Sequence, residues 1–217
     1  MKAFSAVKYY LESISTILYG FKDIPELIIS GGSRVFLNNG FKFFVTKPMD
    51  VWALKEVILD DCYKVGDTSG KVAIDIGAGV GDFSIFFSDK FKTIYSYEPD
   101  KNTFNALSKN IKANTVRNIL SFNKKANSLD EVFKVNKLRK CDLLKIDCEG
   151  DEYNIFRNTS DTVLKKVKHI SMEVHFFNEK QKTEYLRLKT RLNNLEFKIE
   201  EKENPVHDYI GFLFADR

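Results

Sequence analysis

The spacing of apolar and polar positions changes character near residue 66. Before that point, Val7, Tyr9, Leu11, Ile14, Ile17 and Leu18 recur at intervals that predict a helix over about Ala3 to Tyr19. Two short runs, Arg34 to Leu37 and Phe41 to Val45, flank Asn38-Asn39-Gly40, whose residues tolerate left-handed turns, so they read as a hairpin. Val51, Leu54, Val57 and Ile58 share one face of a second helix, expected from Asp50 to Tyr63.

A polar, glycine-flanked linker, Gly66-Asp67-Thr68-Ser69-Gly70, marks the change. After it, short apolar runs alternate with helical patterns. Strands are expected at Lys71 to Ile76, Thr93 to Tyr97, Ile119 to Phe122, Asp142 to Ile146 and His169 to Val174. Helices are expected at Asp82 to Ser88, Lys101 to Asn114, Ser128 to Val135, Asp151 to Phe156 and Glu179 to Leu195. Two closing strands, Phe197 to Glu201 and Tyr209 to Phe214, are separated by a loop containing Pro205 and can pair antiparallel. This order predicts an α/β fold: a mostly parallel sheet with an antiparallel last strand and helices on both faces. The chain divides into an N-terminal helical and hairpin cap, 1–66, and a ligand-binding domain, 67–217.

Composition narrows the classes. A chain of 217 residues with 43% hydrophobic residues can bury one α/β core with a short accessory segment. The 34 basic and 30 acidic residues leave a net charge of +4 without any basic block, so nucleic acid is not indicated as a partner. Cys62, Cys141 and Cys148 are odd in number and lack zinc-type spacing, which suits reduced thiols and a cytoplasmic setting. Lys8 and Glu12 interrupt the N-terminal apolar run, which is too short and polar for a membrane span; packing against the domain is expected. Nothing in the sequence indicates the oligomeric state.

The first chemistry lies where Val72-Ala73-Ile74-Asp75-Ile76 runs into Gly77-Ala78-Gly79-Val80-Gly81. Such a loop lets a ligand approach the backbone closely, and the following helix presents free N–H groups. A dinucleotide fingerprint would place its third glycine at position 82, which is Asp82. An acid at Asp75 also suits a cationic amino-acid group, reached directly or through water, better than a pyrophosphate. Glu98, followed by Pro99, falls at the end of the second strand, where a carboxylate can accept two hydrogen bonds from ribose hydroxyls. Together these features favour S-adenosylmethionine, cradled by Asp75, Gly77, Ala78, Gly79, Gly81, Glu98 and Pro99. Asp100 reads as the cap of the next helix. Asn123 and Ala126, after the third strand, are expected to approach the adenine ring.

The segments DIGAGVGDFSIFF, YSYEPD, DLLKIDCEGDEYNIF and ISMEVH, spread over about Lys71 to His175, resemble the FkbM-type methyltransferases. Gly79 departs from that family, which usually has Asn there. The resemblance implies a Rossmann-like class I methyltransferase fold with a seven-stranded sheet, S-adenosylmethionine as methyl donor, and O-methylation, often of sugar or polyketide-like hydroxyls.

Ligands of open parallel sheets sit at the carboxyl edge of the strands. Asp147 and Glu149 close the fourth strand there, and Glu173 and His175 the fifth, so these four are the candidate catalytic residues; Asp147 is also expected to face the donor. Three roles remain open: His175 or Asp147 as general base, all four as part of a divalent magnesium or manganese site, or simple hydrogen bonding to substrate. A metal is not favoured. Glu149 has a second reading as a capping residue, and Cys148 reads as core. His207 and Asp208 belong to a surface loop, His169 reads as structural, and Trp52, Phe41, Phe43 and Phe44 read as packing residues. The expected function is O-methylation of a sugar, glycan or other small metabolite. An RNA methyltransferase and a non-catalytic donor-binding protein are the alternatives.

Overall fold

The computed structural model describes residues 2–21, 34–204 and 206–217, so the predicted loop residue Pro205 lies outside the described residues. The N-terminal segment forms helix α1 (Lys2–Gly20), a hairpin of β1 (Arg34–Phe36) and β2 (Lys42–Phe44), and helix α2 (Pro48–Ile58). The remainder alternates as β3 (Gly70–Ile76), α3 (Asp82–Phe86), β4 (Phe91–Tyr97), α4 (Lys101–Ala113), β5 (Ile119–Phe122), α5 (Leu129–Val135) and β6 (Cys141–Ile146). It continues through α6 (Glu152–Arg157), α7 (Asp161–Leu164), β7 (Val167–His175), α8 (Glu179–Asn194), β8 (Lys198–Glu203) and β9 (Ile210–Asp216).

Strands β3 to β9 form one sheet in the order β5-β4-β3-β6-β7-β9-β8. The five strands from β3 to β7 run parallel; β9 is antiparallel to β7, and β8 is antiparallel to β9. The chain leaves β3 towards β4 and β5, then returns to place β6 on the other side of β3. The strand order therefore reverses between β3 and β6, and a crevice opens at their carboxyl ends. Side chains alternate across the strands, so each face has its own apolar cluster. Ile74, Ile76, Leu144 and Ile146 pack with α5, α6 and α8 on one face. Ala73, Ile94, Leu143, Phe212 and Phe214 pack on the other with Phe21, Leu37, Phe43, Leu54 and Val57, so the cap shares the sheet's core.

Local chemistry explains most boundaries. Asp100, Ser128, Ser160 and Asn178 each accept a backbone N–H from the first turn of the helix they precede. Helix α2 starts earlier than its apolar stripe predicts, because Pro48 brings a preset φ to the first turn. It also ends well before Tyr63. Asp61 adopts a left-handed φ of 44°, and its carboxylate accepts the N–H groups of Val65 and Gly66, which folds the chain into turns. The short helix α7 was not expected from the apolar pattern.

One buried side chain joins the cap to the glycine loop. Asn110 of α4 has no exposed surface; its Nδ2 donates to the carbonyls of Phe44 (2.9 Å) and Val80 (2.8 Å), and its Oδ1 accepts from the Phe44 N–H at 2.5 Å. Asn110→Ala strands three backbone groups, each costing about 1–3 kcal/mol when buried without a partner. Urea unfolding should show a loss of roughly 3 kcal/mol for this variant, far more than an exposed helix substitution causes.

Candidate functional site

The loop after β3 needs its glycines. Gly77, Gly79 and Gly81 have φ of +76°, +54° and +93°. A Cβ on Gly77 would lie 1.7 Å from the carbonyl oxygen of Asp147, so only glycine lets the loop cross the end of β6. At Gly79 the same test meets only Asp82 Oδ1, at 3.7 Å, which leaves room for a ligand against the backbone. The N–H groups of Gly77 and Ala78 both donate to the carbonyl of Tyr97, at 3.0 Å, and bind the loop to β4.

Glu98, just beyond β4, is tied to this loop. Its Oε2 accepts the Gly79 N–H at 3.0 Å and its Oε1 the Asp100 N–H at 2.8 Å. Burial raises its carboxyl pKa, while the two amide bonds pull the other way. A carboxylate offers about four lone-pair sites, so two remain for a diol. Asn123 spends its side-chain amide on the carbonyls of Glu98 (2.9 Å) and Pro99 (3.0 Å), and Ala126 is buried in the apolar cluster beside Tyr97 and Leu129. Both were expected against adenine; in the structure Asn123 shapes the turn that presents Glu98, and Ala126 packs the core.

Asp75 has protein partners that the sequence does not show. Its carboxylate is fully buried, accepts a hydrogen bond from Ser84 Oγ at 2.6 Å and pairs with Lys145 Nζ at 3.2 Å. Ser84 in turn contacts Ser96 Oγ at 2.7 Å. The Lys145 ammonium, itself buried, donates to the Gly77 carbonyl at 2.6 Å. Burial alone would lower the Lys145 pKa, but Asp75, Asp147 and Asp82 outweigh it and hold the ammonium above the usual lysine range. Asp75 therefore anchors the loop from beneath.

At the reaction edge the four expected residues do converge. Asp147, Glu149, Glu173 and His175 line a cavity of about 680 Å³ together with Glu56, Asp82 and the aromatic rings of Tyr9, Trp52, Phe177 and Tyr209. No lysine or arginine is among its described lining residues. Burial, then the neighbouring charges of Asp147 and Glu56, push the Glu173 carboxyl up to about 9. Burial pushes Asp82 up to about 7 against the pull of Lys145. A carboxyl raised in this way favours its protonated form, which can donate a hydrogen bond. The His175 Nε2 lies 3.6 Å from an oxygen of the exposed Glu149, and its Nδ1 lies 3.1 Å from Glu152 Oε1.

Several of these groups are not evident from sequence spacing. Tyr63 comes from the turns before the linker, and its hydroxyl donates to Asp147 Oδ2 at 2.9 Å. Glu152 is wholly buried, and its Oε1 accepts the N–H groups of Cys148 and Gly150. It takes the capping role that Glu149, with its left-handed φ of 53°, had been expected to share. Glu56 receives Tyr9 Oη (2.7 Å) and Trp52 Nε1 (3.1 Å), so Trp52 helps to line the cavity as well as packing. His207 lines it too, whereas His169 pairs with Asp216 at the far end of β7. Cys148 packs against the core with a thiol pKa raised by burial, as its reading as a core residue anticipates. Ligand atoms of Asp147, Glu152 and His175 lie within 4.8 Å of one another, a spacing a metal ion can use. Each already has a hydrogen-bonded protein partner, which equally suits proton handling.

Residues 118–199 match the family model of the methyltransferase FkbM domain. No curated protein matches the chain. Among solved structures, SMU.1697c of Streptococcus mutans, in complex with SAH, shares 12% identity at a TM-score of 0.57, with 73% of this chain and 97% of that one covered. An rRNA methylase from Streptococcus thermophilus shares 12% identity at a TM-score of 0.55, covering 80% and 98%. Trm5b of Pyrococcus abyssi shares 15% identity at a TM-score of 0.53, covering 85% of this chain; the chain spans only 55% of that protein. At such identities the likeness is one of fold: the Rossmann-like fold of class I methyltransferases.

The buried pair beneath the loop carries a test of this architecture. Lys145→Met leaves Asp75 charged and unpaired, and urea unfolding should show a loss of about 3–5 kcal/mol. Adding Asp75→Asn to that variant should restore part of the loss, because the uncompensated charge is gone. Strict additivity of the two substitutions would mean that they do not act as a pair.

Proposed function

From the FkbM-type methyltransferase domain that residues 118–199 carry, we propose that the chain is an S-adenosylmethionine-dependent methyltransferase acting on a hydroxyl of a small, polyhydroxylated acceptor such as a sugar or glycan. The observation that carries this reading is the Glu98 carboxylate, bonded to the Gly79 amide of a left-handed glycine loop that opens at the same sheet edge as the His175 cavity. The residues fit the donor. Gly79 leaves open space above its Cα, and Glu98 keeps lone pairs for the two ribose hydroxyls. S-adenosylmethionine, when bound, supplies a methyl group made electrophilic by its sulfonium. Asp147 sets negative potential on the cavity side of the loop, which favours a cationic donor.

On the acceptor side, His175 Nε2 receives the hydroxyl proton as the oxygen–methyl bond forms and the sulfur–methyl bond breaks. Glu173, in its protonated form, donates a hydrogen bond that orients the acceptor, and Tyr63 holds Asp147 in place. Positioning of this kind supplies much of the rate of a methyl transfer. Five acidic side chains line the cavity with no described lysine or arginine to bind phosphate, which favours a small acceptor over RNA. The rings of Tyr9, Trp52, Phe177 and Tyr209 offer flat apolar faces for a sugar ring.

Titration calorimetry with S-adenosylhomocysteine tests the donor assignment. Micromolar-range binding is expected, and Glu98→Ala should weaken it by at least about tenfold without unfolding the chain. No binding by the unaltered protein would sink the proposal. Transfer of labelled methyl to a panel of sugars, glycans and RNA tests the acceptor; His175→Ala should lower kcat by roughly 100-fold or more while leaving donor affinity intact.

A further inference from the structure

The reading of His175 as the base leaves open which of its ring nitrogens holds the proton. Glu152 decides it by geometry. It sits in the first turn of α6, has no exposed surface, and directs one oxygen, Oε1, at three donors: the N–H groups of Cys148 (2.8 Å) and Gly150 (3.1 Å) and the His175 ring Nδ1 (3.1 Å). The two backbone amides can only donate, so they fix this oxygen as an acceptor. The ring nitrogen facing it must then carry hydrogen. The next residue adds a second hold, since Tyr153 Oη donates to the His175 carbonyl at 2.9 Å. With Nδ1 protonated, the lone pair of the neutral ring lies on Nε2, the atom that lies 3.6 Å from Glu149.

We propose that Glu152 is the positioning residue that selects the Nδ1–H form of His175 and presents Nε2 to the acceptor as the proton-accepting atom. The inference rests on the reading of His175 as base. Glu152 touches no substrate; it acts through the ring. The backbone that fixes Glu152 also carries Asp147 and Glu149, with Glu149 and Gly150 in left-handed conformations (φ +53° and +100°). The turn after β6 and the ring at the end of β7 are therefore held in one register.

The charged groups facing the ring are Glu152 from α6 and Asp147 and Glu149 from the turn after β6. Burial lowers the His175 pKa, but the bond to Glu152 and then the charges of Glu152, Asp147 and Glu149 outweigh it and raise the pKa above 6.5. Because the base works only when neutral, the rate should climb as pH rises through this raised pKa. Removing the Glu152 charge should move that acidic limb to lower pH, even as the rate above it falls.

Glu152→Leu is the variant of choice, since it removes the single oxygen that faces Nδ1 while keeping a side chain of similar size in the buried position. Nitrogen-15 NMR of the protein above the His175 pKa should find Nδ1 protonated in the unaltered chain. In the variant the proton should move to Nε2 and the pKa should fall by about 1–2 units. kcat should drop at least about 100-fold with donor affinity unchanged. An Nε2–H ring in the unaltered protein overturns the proposal, and this measurement does not depend on the variant folding. A variant that keeps the Nδ1–H form and the acidic limb overturns it as well. Should His175→Ala keep its rate while the ring proton moves as expected, the base reading fails and the positioning of the ring by Glu152 stands.

Discussion

A lysine ammonium buried beneath a glycine loop is the constraint around which the rest is arranged. Moving such a charge out of water costs several kcal/mol unless partners replace the lost hydration. Lys145 finds them in the Asp75 carboxylate, one strand away in the parallel register, and in the carbonyl of Gly77. Those partners belong to the strand and turn of the glycine loop, so the solution to one desolvation problem fixes β3, β6 and the loop together. The absence of a side chain at Gly77 is part of the same arrangement, because the loop must lie against the Asp147 carbonyl. The charge beneath the loop and the glycines within it are two halves of one requirement: backbone held close, with nothing projecting into the ligand's space.

From that centre the site divides into two sides. The side of the glycine loop is almost all backbone. Gly77 and Ala78 hang from Tyr97, Gly79 holds Glu98, and Asn123 braces the turn that carries it. The cavity side is built from side chains, and Asp147, Glu149, Glu173 and His175 come from the ends of strands at the same edge. The cap gives this side its outer wall through Tyr9, Trp52 and Glu56. Asn110, bonded to both Phe44 and Val80, links the cap's hairpin to the glycine loop. Cap and sheet therefore share more than an apolar cluster; they share the walls of the site.

Much of the sheet was legible in the sequence, because period-two apolar runs alternating with helical runs leave few topologies open. The convergence of Asp147, Glu149, Glu173 and His175 was legible for the same reason: all four close parallel strands at one edge. Boundaries in the cap were less legible, since Pro48 and the left-handed Asp61, not hydrophobic spacing, set the ends of α2. The pairing of Asp75 was not legible, because its place at a strand end said nothing of Lys145, whose position in β6 reads as an interruption of an apolar run. Tyr63 and Glu56 were missed because their contact with Asp147 and the cavity depends on tertiary folding across the linker. Glu152 left the clearest unused signal: an acid three residues past Glu149, in the first turn of a helix after a glycine, where free amides await a carboxylate.

The turn after β6 explains why so many ionisable groups coexist at one edge. Carboxylates that face one cavity repel each other, and burial sharpens the repulsion by weakening its screening. The chain meets this in three ways. Glu173 and Asp82 hold their protons to higher pH, Asp147 accepts a hydrogen bond from Tyr63, and Glu152 turns its charge inward to backbone amides and a histidine ring. Each device lowers the local negative charge without adding a lysine or arginine to the described cavity wall. Acidic, and without a fixed cation among its described lining residues, the cavity leaves its histidine and carboxyl groups able to exchange protons and hydrogen bonds, which an ion-paired site would do poorly.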